Sequence, residues 1–279
     1  MDTLIPNASP NHPQGANEMK MLQVPARYYR LYRDDQPLGC SEADFHYVEN
    51  QLDIPLNQAA LVLVDCWNVH YSESFCSRAT RVVEEKIVPV VNAARQIGLP
   101  VIHAPTSRVA WKHEQSNKNF DGCDDEIPPT YASIDPQWPP QEFVEREGEY
   151  AGFRRLYHAS GWKDHYPEFD IAEALTPEPE DYVVRSGDHL HNVLKHRKIL
   201  HLFYAGFATN ICLIHRDYGM KAMADRGYNM ILIRDCTSAL ESHDTIDQML
   251  TTRLFIQDIE WRLACSTTSD DFIAACDQG

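Results

Sequence analysis

The sequence lacks the features that mark several broad classes of protein. No apolar run approaches the roughly 20 residues that a helix needs to span a bilayer, so we expect no membrane partner. Basic side chains are few, 25 against 41 acidic ones, and the net charge of −16 disfavours nucleic acid as a partner. No glycine-rich loop of the kind that holds phosphates follows an apolar run, which disfavours a nucleotide-binding protein.

The sequence also lacks the cysteine spacing of a disulfide framework. Its eight cysteines form no CxxC pair, and a chain of 279 residues, 43% of them hydrophobic, can bury a core without covalent cross-links. The N-terminal segment has no basic start followed by an apolar core, so it does not match a secretory signal. We therefore predict a cytoplasmic protein with reduced thiols.

Apolar runs that alternate with helical segments predict the fold class. Continuous runs such as AALVLVD, LPVIHAP, ILHLFYAG and YNMILIRD are typical of strands covered on both faces, as in parallel sheets. Between them lie stretches with helical spacing, including a helix predicted over 211–226. This order predicts an α/β protein, a three-layer α/β/α sandwich with a mostly parallel sheet. The run WRLACST is predicted as a last edge strand.

The composition divides the chain into an extension and one domain. Residues 1–55 are predicted as an N-terminal extension, and residues 56–279 as a single domain with a long insertion at about 106–180. The insertion is rich in Pro, Tyr and charged residues and holds three of the five tryptophans, which argues against disorder. We interpret it as an ordered lid or as an oligomer contact.

Three polar residues lie at the ends of predicted parallel strands, where open sheets bind ligands. They are Asp65, Arg185 and Cys212, which could supply a base, a cation and a nucleophile to one crevice. Cys212 falls in the first turn of a predicted helix, so we expect the pKa of its thiol to be lowered. Alternatively, Cys212 is a small buried apolar residue, Asp65 a loop carboxylate and Arg185 a surface partner.

Three segments resemble the isochorismatase-like cysteine hydrolases, the group that includes nicotinamidases and N-carbamoyl amidases. They are ALVLVDCWN, VVNAARQIGLPVIHA and GFATNICLIHRDYGMKAMADRGYNMILIRDCTSALESH. The resemblance implies a Rossmann-like fold with a six-stranded sheet. It also implies a catalytic triad of Asp, Lys and Cys, in which Asp65 and Cys212 match, and a cis peptide at Phe207–Ala208. The implied reaction cleaves a C–N bond in a small amide, ureido or imide compound through a thioester, with the N–H groups of Ala208 and Cys212 as oxyanion hole.

The triad lysine of that family is not evident in this chain. The segment VVRSGDHL places Arg185 at the corresponding strand end, and an arginine can steady an anion but cannot shuttle a proton. Lys112 or Lys163 of the insertion could supply the charge instead. A further alternative is a protein that only binds a ligand, or one that hydrolyses a vinyl ether without a covalent step.

The predicted substrate is a small molecule, and no cofactor is expected. The run Asp–Cys–Trp–Asn begins at Asp65, and its Trp67 suggests a substrate with a flat or apolar part. Trp67, Asn68, Phe207 and Thr209 are the predicted substrate-binding residues. His70 and His103 form no cluster with further histidines, so we predict no metal site.

We predict that the protein forms a homo-oligomer. A large exposed aromatic surface on a monomer would be unusual, and members of the resembling family commonly associate. Light scattering at micromolar concentration should give a mass well above the 32.0 kDa of one chain. A mass equal to that of one chain would contradict the prediction.

Overall fold

A computed structural model describes residues 20–33, 38–118, 138–155 and 162–278 of the protein. The predicted extension and insertion fall partly outside these residues. The strands are β1 (Met21–Arg30), β2 (His46–Pro55), β3 (Ala59–Val64), β4 (Val101–Ala104), β5 (Tyr182–Val183), β6 (His201–Phe207), β7 (Asn229–Ser238) and β8 (Cys265–Thr267). The helices are α1 (Glu73–Val82), α2 (Val88–Gln96), α3 (Ser107–Ala110), α4 (Gln141–Glu145), α5 (Gly187–Arg197), α6 (Cys212–His215), α7 (Met220–Asp225), α8 (Leu250–Arg262) and α9 (Ser269–Gln278).

Within the described residues, one sheet contains the strands in the order β2-β1-β8-β7-β6-β3-β4-β5. Strands β3 to β8 pair in parallel with one another, which confirms the predicted α/β class with a mostly parallel sheet. The sheet has eight strands rather than six, because β1 and β2 form an antiparallel hairpin that pairs with β8. The segment predicted as the last edge strand is therefore covered by β1.

Helices cover both faces of the sheet and give the expected three layers. The residues of β3 alternate between two buried apolar clusters, with Leu61 and Leu63 in one and Val62 and Val64 in the other. The first cluster includes side chains of α1, α2 and α9, and the second includes side chains of α5, α7 and α8. Among the described residues, no helix combines the length and the apolarity that crossing a membrane would require.

The segment predicted as one helix over 211–226 is broken into α6 and α7. The backbone leaves the helical conformation at Arg216, with φ −62 and ψ 157. Three consecutive side chains then form tertiary hydrogen bonds: Arg216 and Tyr218 donate to Asp65, and Asp217 accepts from the N–H of Gly187. These bonds outweigh the modest local preference for helix.

Strands β3 and β6 pair in parallel, and at their carboxyl ends Val64 pairs with Gly206. Gly206 has φ +118, and a Cβ at this position would lie 2.0 Å from the carbonyl oxygen of Val64. Only glycine fits both the conformation and the space. The approach brings Asp65, which follows β3, and the turn after β6 to the same edge of the sheet.

We predict that Gly206→Ala destabilises the protein severely, because the added methyl would collide with backbone. The expected loss is about 3 kcal/mol or more in the free energy of unfolding, measured by denaturant titration. Gly98→Ala is the matched control: Gly98 also has positive φ, +76, but a Cβ there meets nothing within 4 Å. It should cost only about 1–2 kcal/mol. Equal losses in both variants would show that the close approach does not matter.

Candidate active site at the carboxyl edge of the sheet

Asp65 is the central residue of the site. It has φ 43, an uncommon conformation for a residue other than glycine, and it is only 3% exposed. Nε of Arg216 donates to its Oδ2 at 3.1 Å, and the hydroxyl of Tyr218 donates to its Oδ1 at 3.2 Å. Burial raises the pKa of Asp65 above its usual value, although Arg216, Cys212 and Tyr218 act in the opposite direction.

The thiol of Cys212 lies close enough to the carboxylate of Asp65 for each group to shift the pKa of the other. The pKa of the Cys212 thiol is raised to about 12, mainly by burial and also by the charge of Asp65, while Arg216 acts in the opposite direction. The expectation of a lowered pKa is therefore wrong. Helix α6 has only four residues, so its dipole is small compared with the effects of burial and of the nearby charge of Asp65. The thiol keeps its proton at rest and has an acceptor beside it.

Arg216 supplies the positive charge of the site. Although burial lowers it, the charge of Asp65 holds the pKa of Arg216 above its usual range, so the guanidinium stays protonated. Sequence reasoning missed this residue. The signal was its position four residues after Cys212, which puts both side chains on one face of a helical turn. Tyr218, which falls within the helix predicted over 211–226, was also missed.

The structure places Arg185 against an aromatic ring of the insertion. Its guanidinium carbon lies 4.0 Å from the ring centre of Trp111, and its backbone N–H donates to Nδ1 of His189 at 3.3 Å. Arg185 is absent from the described lining of the cavities beside Cys212. Its catalytic role stays a prediction.

The lysines considered as alternatives lie in the insertion. Nζ of Lys112 donates to the carbonyl oxygen of Pro167 at 2.9 Å and to that of Phe169. Lys112 therefore ties two parts of the insertion together. The side chain of Lys163 lies outside the described residues.

Two adjoining cavities open beside the sulfur of Cys212. The inner one has a volume of about 50 Å³ and is lined by Asp65, Phe207 and Ala208 among others. The outer one has a volume of about 560 Å³. Cys212 and Trp67 line both, so the thiol lies where the cavities meet and is reachable by a small molecule.

Two of the predicted substrate-binding residues have structural partners instead. The side-chain amide of Asn68 donates to the carbonyl oxygen of Glu168 at 3.1 Å and accepts from the N–H of Asp170 at 2.8 Å. The hydroxyl of Thr209 is buried and lies 2.7 Å from that of Thr237. Neither is among the described residues that line the two cavities.

The insertion forms one wall of the outer cavity. Trp67 makes an antiparallel bridge with Ile171, and its ring lies 5.1 Å from that of Phe169. Phe169, Tyr166 and Arg108 line the cavity from the side of the insertion. The described part of the insertion therefore contributes one wall of the outer cavity, and its interpretation as a lid or as an oligomer contact stays a prediction.

Two backbone features of the site bear on the expected oxyanion hole. The peptide bond between Phe207 and Ala208 is cis, as the resemblance implied. Cys212 is the first residue of α6, so its N–H has no partner within the helix.

Across the described ranges there is no group of three or more His, Cys, Asp or Glu side chains arranged to hold a metal ion.

Comparison with known proteins gives both sequence and structural relatives. A family model described as the isochorismatase domain matches residues 59–257. Ureidoacrylate amidohydrolase RutB of Klebsiella pneumoniae is 26% identical over 170 residues, 56% of this chain and 64% of the relative, and the Klebsiella variicola protein matches equally. The match thus spans less than two thirds of the length of these curated relatives.

A crystal structure of a cysteine hydrolase from Pseudomonas syringae pv. phaseolicola has a similar fold. It aligns with a TM-score of 0.52 and 18% identity over 81% of this chain and 95% of that one. The family match and the amidohydrolase relatives support the prediction of an enzyme, a hydrolase. Because the family model covers most of the chain, the protein belongs to the isochorismatase family, as its three characteristic segments predicted.

Proposed function

We propose that the protein is a cysteine hydrolase that cleaves a C–N bond in a small amide, ureido or imide compound through a thioester. The observation that carries the proposal is the placing of Cys212 and the buried, Arg216-paired carboxylate of Asp65 on the wall of one cavity. The cavities at the sulfur suit a small molecule. The amidohydrolase relatives act on a ureido compound, as their name states, which agrees with this reaction class.

In the first step the sulfur of Cys212 attacks the substrate carbonyl and its proton moves to Asp65. The carbon–nitrogen bond then breaks, and Asp65 returns that proton to the leaving nitrogen. A thioester on Cys212 and a free amine remain. Because burial raises the pKa of Asp65, the carboxyl is a better proton acceptor than an exposed aspartate would be.

In the second step a water molecule replaces the amine. Asp65 takes a proton from the water, the oxygen attacks the thioester carbonyl, and the carbon–sulfur bond breaks. The sulfur recovers a proton from Asp65, and the acid product leaves. In both steps the N–H groups of Ala208 and Cys212 would hold the oxyanion.

Arg216 has an electrostatic role in this mechanism. A guanidinium stays charged, so it balances the negative charge shared by Asp65 and Cys212 but does not relay a proton. Asp65 is then the group that moves protons in both steps.

Because the described cysteines form no disulfide with one another, we propose that the enzyme acts in the reducing cytoplasm.

We predict that Asp65→Asn retains the fold and loses turnover by roughly 10²–10⁴, the usual contribution of a placed proton acceptor. Amine or ammonia release from a panel of small amides and ureido compounds measures this loss. Intact-mass analysis of the wild type should detect a covalent adduct that is absent from Cys212→Ala. Cys265→Ala, which removes a thiol outside both cavities, is the control and should retain adduct and turnover.

Other outcomes would favour the alternative functions. Turnover of a vinyl ether by Cys212→Ala would indicate hydrolysis without a covalent step. Ligand binding without turnover or adduct across the whole panel would indicate a binding protein. Either result would exclude the thioester mechanism.

The pH dependence of Cys212 alkylation distinguishes the two candidate arginines. Because Arg216 lowers the pKa of the thiol, Arg216→Gln should move the alkylation curve to higher pH. Arg185→Gln, with the same change of charge, should leave the curve superimposable on that of the wild type. Peptide mapping after brief iodoacetamide treatment measures both, with Cys40, which lies outside the cavities, as internal reference. A shift in Arg185→Gln alone would return the catalytic cation to Arg185.

A further inference from the structure

We propose that the outer cavity is a subsite for a substrate carboxylate and that Arg108 anchors this group. The substrate would then carry an anionic end in addition to its scissile carbonyl. The inference rests on the proposed function of Cys212 and adds the substrate class.

The first observation is the charge of the outer cavity. Its described lining includes Arg108, Arg216, His70 and His215 but no aspartate or glutamate. Acidic side chains outnumber basic ones in this chain by 41 to 25. A random sample of its charged residues would therefore include more carboxylates than cations, and the described lining of this cavity includes only cations and histidines. Such a surface raises the local concentration of anions and repels cations.

The second observation is the difference between the two arginines. The charge of Arg216 is balanced by Asp65, 3.1 Å away. Arg108 has no carboxylate within ion-pair distance in the described part of the chain, and its guanidinium carbon lies 4.8 Å from the ring centre of Tyr166. The ring supports the guanidinium plane and leaves its N–H donors for a ligand. A planar guanidinium matches a carboxylate with two parallel hydrogen bonds.

The third observation is the arrangement of the cavity walls. Arg108 lies in α3, within the insertion. Cys212 is the first residue of α6, and Arg216 is the residue at which α6 ends. A cavity of about 560 Å³ lies within the range of small-molecule sites. Trp67, Tyr166 and Phe169 line it. A substrate with a flat segment between carbonyl and carboxylate would satisfy the thiol, the rings and Arg108 together.

The test compares substrates that differ only in the anionic group. The probes are 3-ureidopropanoate with 3-ureidopropan-1-ol, and 4-ureidobenzoate with 4-ureidobenzyl alcohol. Wild-type enzyme should prefer each acid over its alcohol by about tenfold or more in kcat/KM, which is the contribution of a hydrogen bond to a charged group. The preference should decrease with added salt.

Arg108→Gln should remove this preference through the KM of the acids and should lower kcat/KM of the acids far more than that of the alcohols. Arg108→Lys should retain part of it. Arg262→Gln is the control for loss of a stacked arginine, because Arg262 lies over the ring of Trp261 and outside the cavity, although it also pairs with Asp258. Equal changes for acids and alcohols in Arg108→Gln, or no change in either, would overturn the subsite.

A binding measurement separates this inference from the proposed function. Calorimetry with Cys212→Ala, alone and combined with Arg108→Gln, reports carboxylate recognition without catalysis. Arg108-dependent binding of 4-ureidobenzoate without turnover by the wild type would support the subsite and reject the hydrolase. Turnover that ignores the carboxylate would support the hydrolase and reject the subsite.

Discussion

The buried contact between Asp65 and Arg216 is the interaction on which the candidate site depends. A carboxylate that is 3% exposed is costly unless its charge is balanced and its oxygens are hydrogen-bonded. Arg216 and Tyr218 each donate to one oxygen. The thiol of Cys212 lies close to this carboxylate. Helix α6 ends at the same contact, since the backbone leaves the helical conformation at Arg216, whose side chain donates to Asp65. The end of the helix and the chemistry of the site therefore involve the same residue.

The sheet provides the frame for this contact. Parallel pairing aligns the carboxyl ends of β3 and β6, and glycine at 206 lets the two strands approach without a side chain between them. Asp65 then turns out of β3 with positive φ, a conformation that aspartate tolerates better than most residues. Asp65 directly follows the buried strand β3, and Cys212 lies in the short segment that follows the buried strand β6. Their relative position is thus determined by strand packing, and flexible loops contribute little to it.

The parallel sheet could be predicted from the sequence because strands buried on both faces consist of continuous apolar runs. The hairpin β1–β2 could not, because strands with one covered face carry only alternating apolar residues such as Leu22 and Val24, and these lay in a segment interpreted as an extension. Asp65 and Cys212 were found from strand ends. The four-residue spacing could have placed Arg216 near Cys212, but the bond from Arg216 to Asp65 and the raised pKa of Cys212 depend on tertiary contacts and burial, which local periodicity does not encode.

Arginine in the place of a lysine changes how protons move in the proposed reaction. A lysine beside the thiol can lose its proton when its surroundings are altered, whereas a guanidinium paired with a buried carboxylate stays charged. Every proton that leaves Cys212, or that reaches the leaving nitrogen, must then pass through Asp65. Burial raises the pKa of the Asp65 carboxyl and Arg216 lowers it. This balance suits a group that must both accept a proton from the thiol and donate it to the leaving nitrogen. A site without an evident triad lysine is therefore compatible with the proposed hydrolysis, provided that the cation and the proton carrier are different residues.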